Sequence, residues 1–415
     1  MTYNLSDYNF TLPEHLIAQQ LASPADSCRL MVVDQWQISH QHFTDITDHL
    51  GSWDLLIFND SKVVPARVQL TSADMITTKS GKQVEFKLGE AEIFFLRQYS
   101  DITFEALVRW GKWFKTWSIV TIWDYKLTIG EVTLAGRMIT VSKSSLIREG
   151  GGTPDGFEGN LVLQFLHDHG TIPLPPYIAD DASKYDDYQP IVAKQEGSVA
   201  APTAALHFTD RLLQQLDDKW VQRASVTLHI GIGTFRLIDV TDVRDHEIHR
   251  EVCQVSIELF TQVARTHLNN KKITVVWTTS CRTIESLPYL YLHIRNQIIL
   301  DQDIRQYWDN LIINCIDSDY IIDPVVMWDI VEFETQLYMY PWFEPKILDH
   351  LVTNFHLPQS TLLLMIASLI GYSTLMKCYE VAIQQEYQFY SFGDGMLLKN
   401  IKPQNSQLIS WSYNT

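Results

Sequence analysis

Cysteine is scarce and scattered in this chain. Its 415 residues hold five, Cys28, Cys253, Cys281, Cys315 and Cys378, with no CxxC pair and no metal-ligand spacing. That gives neither a disulfide framework nor a zinc site, and the expectation is free thiols in a reducing compartment. Long apolar runs are also missing. The longest, Leu362 to Gly371, is too short to span a bilayer, and the first sixteen residues are polar and acidic, unlike a secretory leader. The chain therefore reads as cytoplasmic, with no membrane segment. Positive charge is short as well: 32 Lys and Arg against 49 Asp and Glu leave a net charge of −17. This argues against a general nucleic-acid binder, since phosphates must be neutralised by cations on one surface, but it leaves room for a local basic patch. Phosphate-loop chemistry is absent too. Glu149-Gly-Gly-Gly-Thr-Pro-Asp-Gly156 lacks the GK[ST] of such a loop and reads as a hinge.

What is present has an α/β texture. Arg29 to Asp34 and Asp54 to Asn59 read as strands, and Leu12 to Gln19 as a short helix opened by Pro13. Residues 66–150 change to short alternating runs, such as Gln83 to Phe86, Glu92 to Leu96, Phe104 to Arg109 and Lys126 to Val132. Strands so spaced, without helical periods, predict a small inserted all-β, barrel-like domain. Residues 60–150 carry 13 Lys or Arg against 10 Asp or Glu, a net +3 that leaves −20 for the remainder. Within them Arg109, Lys112, Trp113 and Lys115 interleave cations with aromatics, a pattern that suits RNA contact and equally suits a barrel strand.

Beyond residue 150, strands and helices alternate. Helices are expected at Glu158 to His169, Ile257 to Asn269, Arg282 to His293, near Glu344 to Leu351, at Ser360 to Ile370 and at Thr374 to Glu386. Strands are expected at Ala224 to Ile230, Val252 to Val255, Ile273 to Thr278 and Leu337 to Tyr340, with an aromatic one before Ser391. The plan is an α/β main domain with a mixed sheet over residues 1–65 and 151–400, an inserted β-domain over 66–150, and a polar tail over 401–415. Ligands are expected where strands end.

Several stretches place chemistry at such ends. Ala200-Ala-Pro-Thr-Ala-Ala-Leu-His-Phe-Thr209 is apolar and built of small residues, with Thr203 and His207 as its main polar groups and Thr209 as the N-cap of a following helix. A packing loop fits those residues alone at least as well as a pocket wall. Thr227-Leu-His229-Ile-Gly231-Ile-Gly233-Thr-Phe235 runs a strand into a Gly-x-Gly turn, which is no dinucleotide fingerprint because Arg236 follows and no helix does. Thr278, Thr279, Ser280 and Arg282 offer hydroxyls, free N–H groups and a cation to a carboxylate or phosphate. Cys281 among them reads as a buried thiol. His246 and His249 with Glu247 mimic a metal pair, but no third ligand is suggested, and the expectation is no metal. Asn354, His356 and Asp394 each put a hydrogen-bonding or titratable group on a turn.

Together these stretches resemble one family along nearly the whole chain. The matching runs are LPEHLIAQ (12–19), DSCRLMVVD (26–34), LLIFNDSKVVPAR (55–67), PLPPYI (173–178), VAAPTAALHFT (199–209), VTLHIGIGTF (226–235), TTSCRTIES (278–286), LVTNFHLPQSTLLLMIASLIG (351–371) and YQFYSFGDGML (387–397). The chain is similar to the S-adenosylmethionine:tRNA ribosyltransferase-isomerases of queuosine synthesis. The resemblance implies an enzyme that moves the ribosyl part of S-adenosylmethionine onto 7-aminomethyl-7-deazaguanine at the tRNA wobble position. Adenine and methionine leave, and the ribose becomes an epoxycyclopentane. S-adenosylmethionine enters as co-substrate, and no permanently bound cofactor is implied.

Such chemistry needs a base at the sulfonium-acidified C5′ and a proton donor for departing adenine, roles that suit His207 and His229. Phe208 and Phe235 offer faces to the sulfonium, and Gly231 and Gly233 let backbone approach a ligand. Arg282 with the hydroxyls of residues 278–280 would seat the methionine carboxylate, and Thr203 would help line the pocket. Asp394 would hold a ribose hydroxyl or an amine, and Asn354 with His356 would read a base edge.

Against the family pattern the chain departs at Ala205 (for Gly), Val192 (for Tyr), Thr171 (for His), Lys62 (for Arg), Trp110 (for Pro), and Trp277 and Trp342 (each for Gly). Bulk beside presumed pocket positions opens two rival readings. One is ribosyl transfer to another RNA or small amine by a divergent paralogue, the other a non-catalytic RNA- or nucleoside-binding relative.

Overall fold

The computed structural model describes residues 2–87, 91–109, 113–143, 159–231, 238–313 and 320–401. The Glu149–Gly156 hinge, Trp110, Lys112, Gly233, Phe235 and the tail beyond Ile401 lie outside them.

In chain order the strands begin with β1 (Arg29–Asp34), β2 (Gln37–His42), β3 (Leu55–Asn59), β4 (Ser61–Val63), β5 (Arg67–Gln69), β6 (Met75–Thr77) and β7 (Gln83–Glu85). Next come β8 (Glu92–Ser100), β9 (Thr103–Arg109), β10 (Ile119–Ile122), β11 (Tyr125–Val132), β12 (Arg137–Lys143), α1 (Leu161–His169) and β13 (Gln195–Ser198). There follow α2 (Asp210–Asp218), β14 (Gln222–Leu228), β15 (Glu251–Ser256), α3 (Ile257–Leu268), β16 (Ile273–Val276), α4 (Thr278–Ile294) and α5 (Gln302–Ile312). The chain closes with β17 (Ile321–Met327), β18 (Ile330–Thr335), β19 (His350–Asn354), α6 (Thr361–Ile370), α7 (Tyr372–Gln384) and β20 (Gly395–Lys399).

Two compact units form. One takes residues 1–61, 175–195 and 201–415, the other residues 62–174 and 196–200. The first unit holds a ten-stranded mixed sheet in the order β17-β18-β15-β14-β3-β16-β19-β20-β1-β2. Its centre is parallel, β14 with β3, β3 with β16 and β16 with β19. Beyond the centre, β20 runs antiparallel to β19 and parallel to β1, so β20 and β1 point the other way. The central strands β3, Leu55–Asn59, and β19, His350–Asn354, are buried along their whole length, as strands covered on both faces are. The second unit is a curled antiparallel sheet, β5-β8-β9-β12-β11-β10-β6-β7, whose alternating burial along β10 and β11 matches its alternating sequence.

Four local expectations are corrected. Leu12 to Gln19 makes one 3-10 turn at Glu14–Leu16 instead of a helix, because its backbone pairs outward: Phe389 N–H donates to Leu16 C=O at 2.7 Å and Ala18 N–H to Phe389 C=O at 3.3 Å. The aromatic strand expected before Ser391 does not form either: Phe389 makes an isolated bridge with Ile17, and Tyr390 N–H donates to Phe355 C=O at 3.1 Å. Near Glu344 to Leu351 no helix forms. Pro341 and Pro345 break the start of that run, and His350–Asn354 is claimed as the central strand β19. Leu337 to Tyr340 is loop, and the strand lies earlier, at β18.

Candidate active site at one end of the mixed sheet

Strand direction decides where the chemistry collects. The carboxyl ends of β3, β14, β16 and β19 finish at Asn59, Leu228, Val276 and Asn354. At that same end β20 and β1 begin, since Gly395 pairs with both Asn354 and Leu30. β15 begins there too, running antiparallel from Glu251 beside the end of β14. One sheet end thus gathers Cys28, Asn59, His229, Glu251, Thr278, Asn354 and Asp394, from segments far apart in sequence.

Pro202 starts a single 3-10 turn, Thr203–His207, and Thr209 Oγ1 then accepts from Leu212 N–H at 3.2 Å to cap α2. His207 is completely buried. Asn354 Nδ2 donates to its Nε2 at 3.0 Å, and Asn354 Oδ1 in turn accepts from Thr203 Oγ1 at 2.9 Å. With Nε2 an acceptor, the ring proton sits on Nδ1, which lies 3.3 Å from Cys28 Sγ. Phe43 covers the ring at 5.0 Å. Burial holds the imidazole at about 4, so it is neutral at physiological pH. His207 itself is sealed. Cys28 stands between it and an open pocket of about 350 Å3, walled also by Gln19, Ala22, Gln388, Phe392 and Asp394. Burial, with Asp394 adding to it, pushes the Cys28 thiol well up.

Asp394 accepts from the Arg29 and Gln388 N–H groups at 2.7 and 2.8 Å, one on each oxygen, and burial raises its pKa. Asn59 was not singled out from sequence, yet it is the hinge-pin of this end. Its Nδ2 donates to Leu228 C=O at 3.0 Å and Thr279 Oγ1 at 3.1 Å, while Oδ1 accepts from the Leu228 and Ser61 N–H groups. The signal was legible: a buried amide ends an otherwise wholly apolar strand.

A second, tighter feature surrounds the head of α4. Arg282 is buried and pairs with Glu251, while its Nη2 donates to His249 C=O at 2.8 Å. Burial pushes Glu251 up, but the Arg282 charge and His249 outweigh it and hold the carboxyl at about 2. Thr278 Oγ1, Ser280 Oγ and Arg282 Nε are buried without a hydrogen-bond partner among the described residues. Trp277 precedes the helix at φ 77°, ψ 154°, a region populated almost only by glycine. Its buried ring lies 5.4 Å from that of His356, whose Nε2 meets Thr353 Oγ1 at 2.8 Å and which burial lowers to about 3. Cys281 is buried, its thiol pushed well up by burial.

His229 is half-buried, its pKa lowered by burial against the pull of Asp60 and Glu332, and its Nδ1 has no partner among the described residues. Gly231 beside it faces open space. Phe208 is packed edge-on between Phe43 and Phe58, at 5.1 and 4.9 Å, which leaves its faces to the core. Ala205 is fully buried in the same cluster. In the second unit Arg109 is exposed at the end of β9, Lys115 is exposed in a turn, and Lys82 Nζ sits 5.2 Å over the Trp113 ring. Among the described residues no three His, Cys, Asp or Glu lie close enough to hold a metal ion, and no single helix there is long and apolar enough to cross a membrane.

Comparison with known proteins agrees with the motif order. Residues 5–398 match the family model described as queuosine biosynthesis protein. The S-adenosylmethionine:tRNA ribosyltransferase-isomerase of Clostridioides difficile (strain 630) is 34% identical over 395 residues, covering 95% of this chain and 99% of that protein. That of Desulfitobacterium hafniense (strain DSM 10664 / DCB-2) is 32% identical over 403 residues, covering 95% and 99%. The crystal structure of S-adenosylmethionine tRNA ribosyltransferase from Thermotoga maritima aligns over 94% of this chain and 99% of its own, at 26% identity and a TM-score of 0.45. With a family model spanning nearly all of its length and relatives above 30% identity over the same span, this chain belongs to the queuosine biosynthesis protein family.

Proposed function

We propose that this protein is an S-adenosylmethionine:tRNA ribosyltransferase-isomerase acting in the cytoplasm. Its acceptor is the aminomethyl group of 7-aminomethyl-7-deazaguanine in the tRNA wobble position, and its products are epoxyqueuosine-tRNA, adenine and methionine. The observation that carries this reading is the convergence of the sequence motifs on one sheet end: Asn59, His207, His229, Arg282, Asn354, His356 and Asp394 lie on or next to strand ends, a turn and a helix start from segments far apart in the chain.

The chemistry divides among them. His229, half-buried with a lone Nδ1, is the group suited to take the C5′ proton. His207 is neutral and fixed as the Nδ1–H tautomer, so it acts on the open pocket through the Cys28 thiol. Asp394 faces that pocket and holds a ribose hydroxyl or the acceptor amine. Asn354 and His356, both buried, set the position of this layer, and Thr203 locks Asn354 in turn. Thr278, Thr279, Ser280 and Arg282 seat the methionine carboxylate. Gly231 gives backbone access, and Gly233 and Phe235 complete the wall on the resemblance alone, whereas Phe208, packed between Phe43 and Phe58, belongs to the core and offers no face to the sulfonium. Arg109, Lys112, Trp113 and Lys115 contact the tRNA.

Trp277 favours a second reading, the same donor with another amine acceptor. It places a bulky ring where the backbone geometry suits glycine, directly ahead of α4. The test is adenine release from S-adenosylmethionine with tRNA bearing 7-aminomethyl-7-deazaguanine, with the free base, and with neither. Release that requires the modified tRNA supports the first reading. Release with the free base and not the tRNA moves the assignment to the second. In single turnover, His229→Ala is expected to slow adenine release by about 10²–10⁴-fold, and an unchanged rate removes His229 from the acid–base role.

A further inference from the structure

We infer that the cleft at the head of α4 binds the whole zwitterionic end of an α-amino acid, both carboxylate and ammonium. It therefore takes the methionyl end of S-adenosylmethionine and, after turnover, free methionine, which holds the enzyme back as a competitive product. This rests on the reaction proposed above.

The polar wall is built for two opposite charges. Arg282 and Glu251 are each about 95% buried and already pair with one another, so the wall carries no net charge to offer a simple anion or cation. A dipolar ligand matches it without leaving either buried charge uncompensated. Three donors converge on the cleft with no partner among the described residues: Thr278 Oγ1, Arg282 Nε and Tyr338 Oη. Thr278 and Arg282 are only 1% and 4% exposed. Buried donors of this kind are normally paired, and together with the first N–H groups of the seventeen-residue α4 they form a seat for a carboxylate. The acceptor on the same wall is Glu251. Its Oε1 lies 3.3 Å from His249 Nε2 and Oε2 faces Arg282, and a carboxylate has further lone pairs with which to take an ammonium.

The opposite wall is apolar and soft. Ile248, Met339, Leu362 and Met365 line it, two of them unbranched thioethers that repack readily around another thioether or a sulfonium methyl. The space between the walls is about 20 Å3, the room of a single water, so binding of the amino-acid end requires the apolar wall to give way. None of this wall comes from the Cys28–Asp394 pocket, which leaves that larger space for the other reactant.

The experiment is steady-state adenine release by the full chain. Tyr338→Phe and Thr278→Val each delete one unpartnered donor and leave the Arg282–Glu251 pair intact. Each is expected to raise KM for S-adenosylmethionine about tenfold, with the KM for tRNA unmoved and kcat within about twofold. L-Methionine is expected to compete with S-adenosylmethionine. 3-(Methylthio)propylamine, which lacks the carboxylate, and 4-(methylthio)butanoate, which lacks the ammonium, are expected to fail at hundredfold higher concentration. An unchanged KM for S-adenosylmethionine in both variants overturns the site, and so do one-charge analogues that inhibit as well as methionine. Should the wild-type chain release no adenine with any acceptor, the reaction reading fails by itself. Calorimetry with L-methionine then decides the cleft: heat lost in Tyr338→Phe supports it, and no heat with the wild-type chain overturns it.

Discussion

Replacing Trp123 and Trp328 by glycine is expected to make this protein more stable, although each change removes a large aromatic side chain. Both residues open two-residue hairpin loops, Trp123 between Ile122 and Tyr125 and Trp328 between Met327 and Ile330. Their φ angles are +53° and +57°. The hairpin turns that match strand twist need positive φ at the first loop position, which is why glycine is favoured there. An L-residue in the left-handed region costs about 1–2 kcal/mol, whereas glycine visits it freely. Little burial is lost in return, since Trp123 is 79% and Trp328 98% exposed. Glycine costs about 0.5–1 kcal/mol of extra unfolded-state entropy. The net is a gain of about 0.5–1 kcal/mol per site, or about 1–4 °C in the unfolding midpoint of the unit that holds it. Calorimetry is the assay, because removing tryptophans changes the fluorescence signal itself. Trp123→Ala serves as control: it keeps the positive φ strained, and its gain should fall below that of Trp123→Gly. A glycine variant that melts lower than wild type, or an alanine variant that gains as much, refutes the reasoning.

Three further outcomes follow from the buried polar groups. His207 is depressed to about 4 and is neutral in the fold, so the unfolded chain binds the extra proton between about pH 6.5 and 4. The stability it contributes is complete above its unfolded pKa and is lost as pH falls through that window, on the order of 3 kcal/mol; urea midpoints that stay flat from pH 7 to 4.5 contradict the assignment. Glu285 accepts from the backbone N–H groups of Lys346, Ile347 and Leu348 at 2.6, 2.9 and 2.8 Å. Glu285→Ala should cost about 3–5 kcal/mol in chemical unfolding, since it orphans three donors just ahead of β19. Asn354→Leu removes the donor that fixes the His207 tautomer, and adenine release should fall while binding of S-adenosylmethionine, read by calorimetry, is retained; loss of binding instead would assign Asn354 to the donor site.

The sequence alone reached the architecture wherever one segment settles its own state. The amphipathic run after Thr209, capped by that residue's hydroxyl, is α2, and the alternating runs of residues 66–150 are the strands of the curled sheet. It also reached the family, because the matching motifs are long and stand in one order. It failed where pairing partners decide: Leu12–Gln19 pairs with Phe389 through Leu16 C=O and Ala18 N–H, and residues 350–354 become a central strand because β16 and β20 flank them. The site was half legible. Its residue types stood out, but what each does depends on direction and burial, which no local pattern carries. Only the reversal of β20 and β1 against the central strands brings Cys28 and Asp394 to the end where Asn354 finishes. The same arrangement seals His207, a histidine of an apolar loop, and leaves it neutral 3.3 Å behind the Cys28 sulfur that lines the pocket. It also matched Arg282, expected from sequence to meet a carboxylate ligand, with the buried carboxylate of Glu251 thirty-one positions away. Sequence fixes which groups are available, since composition and local propensity are properties of the chain; which of them meet, and how far water is kept from them, belongs to tertiary structure, since both arise from contacts between segments far apart along it.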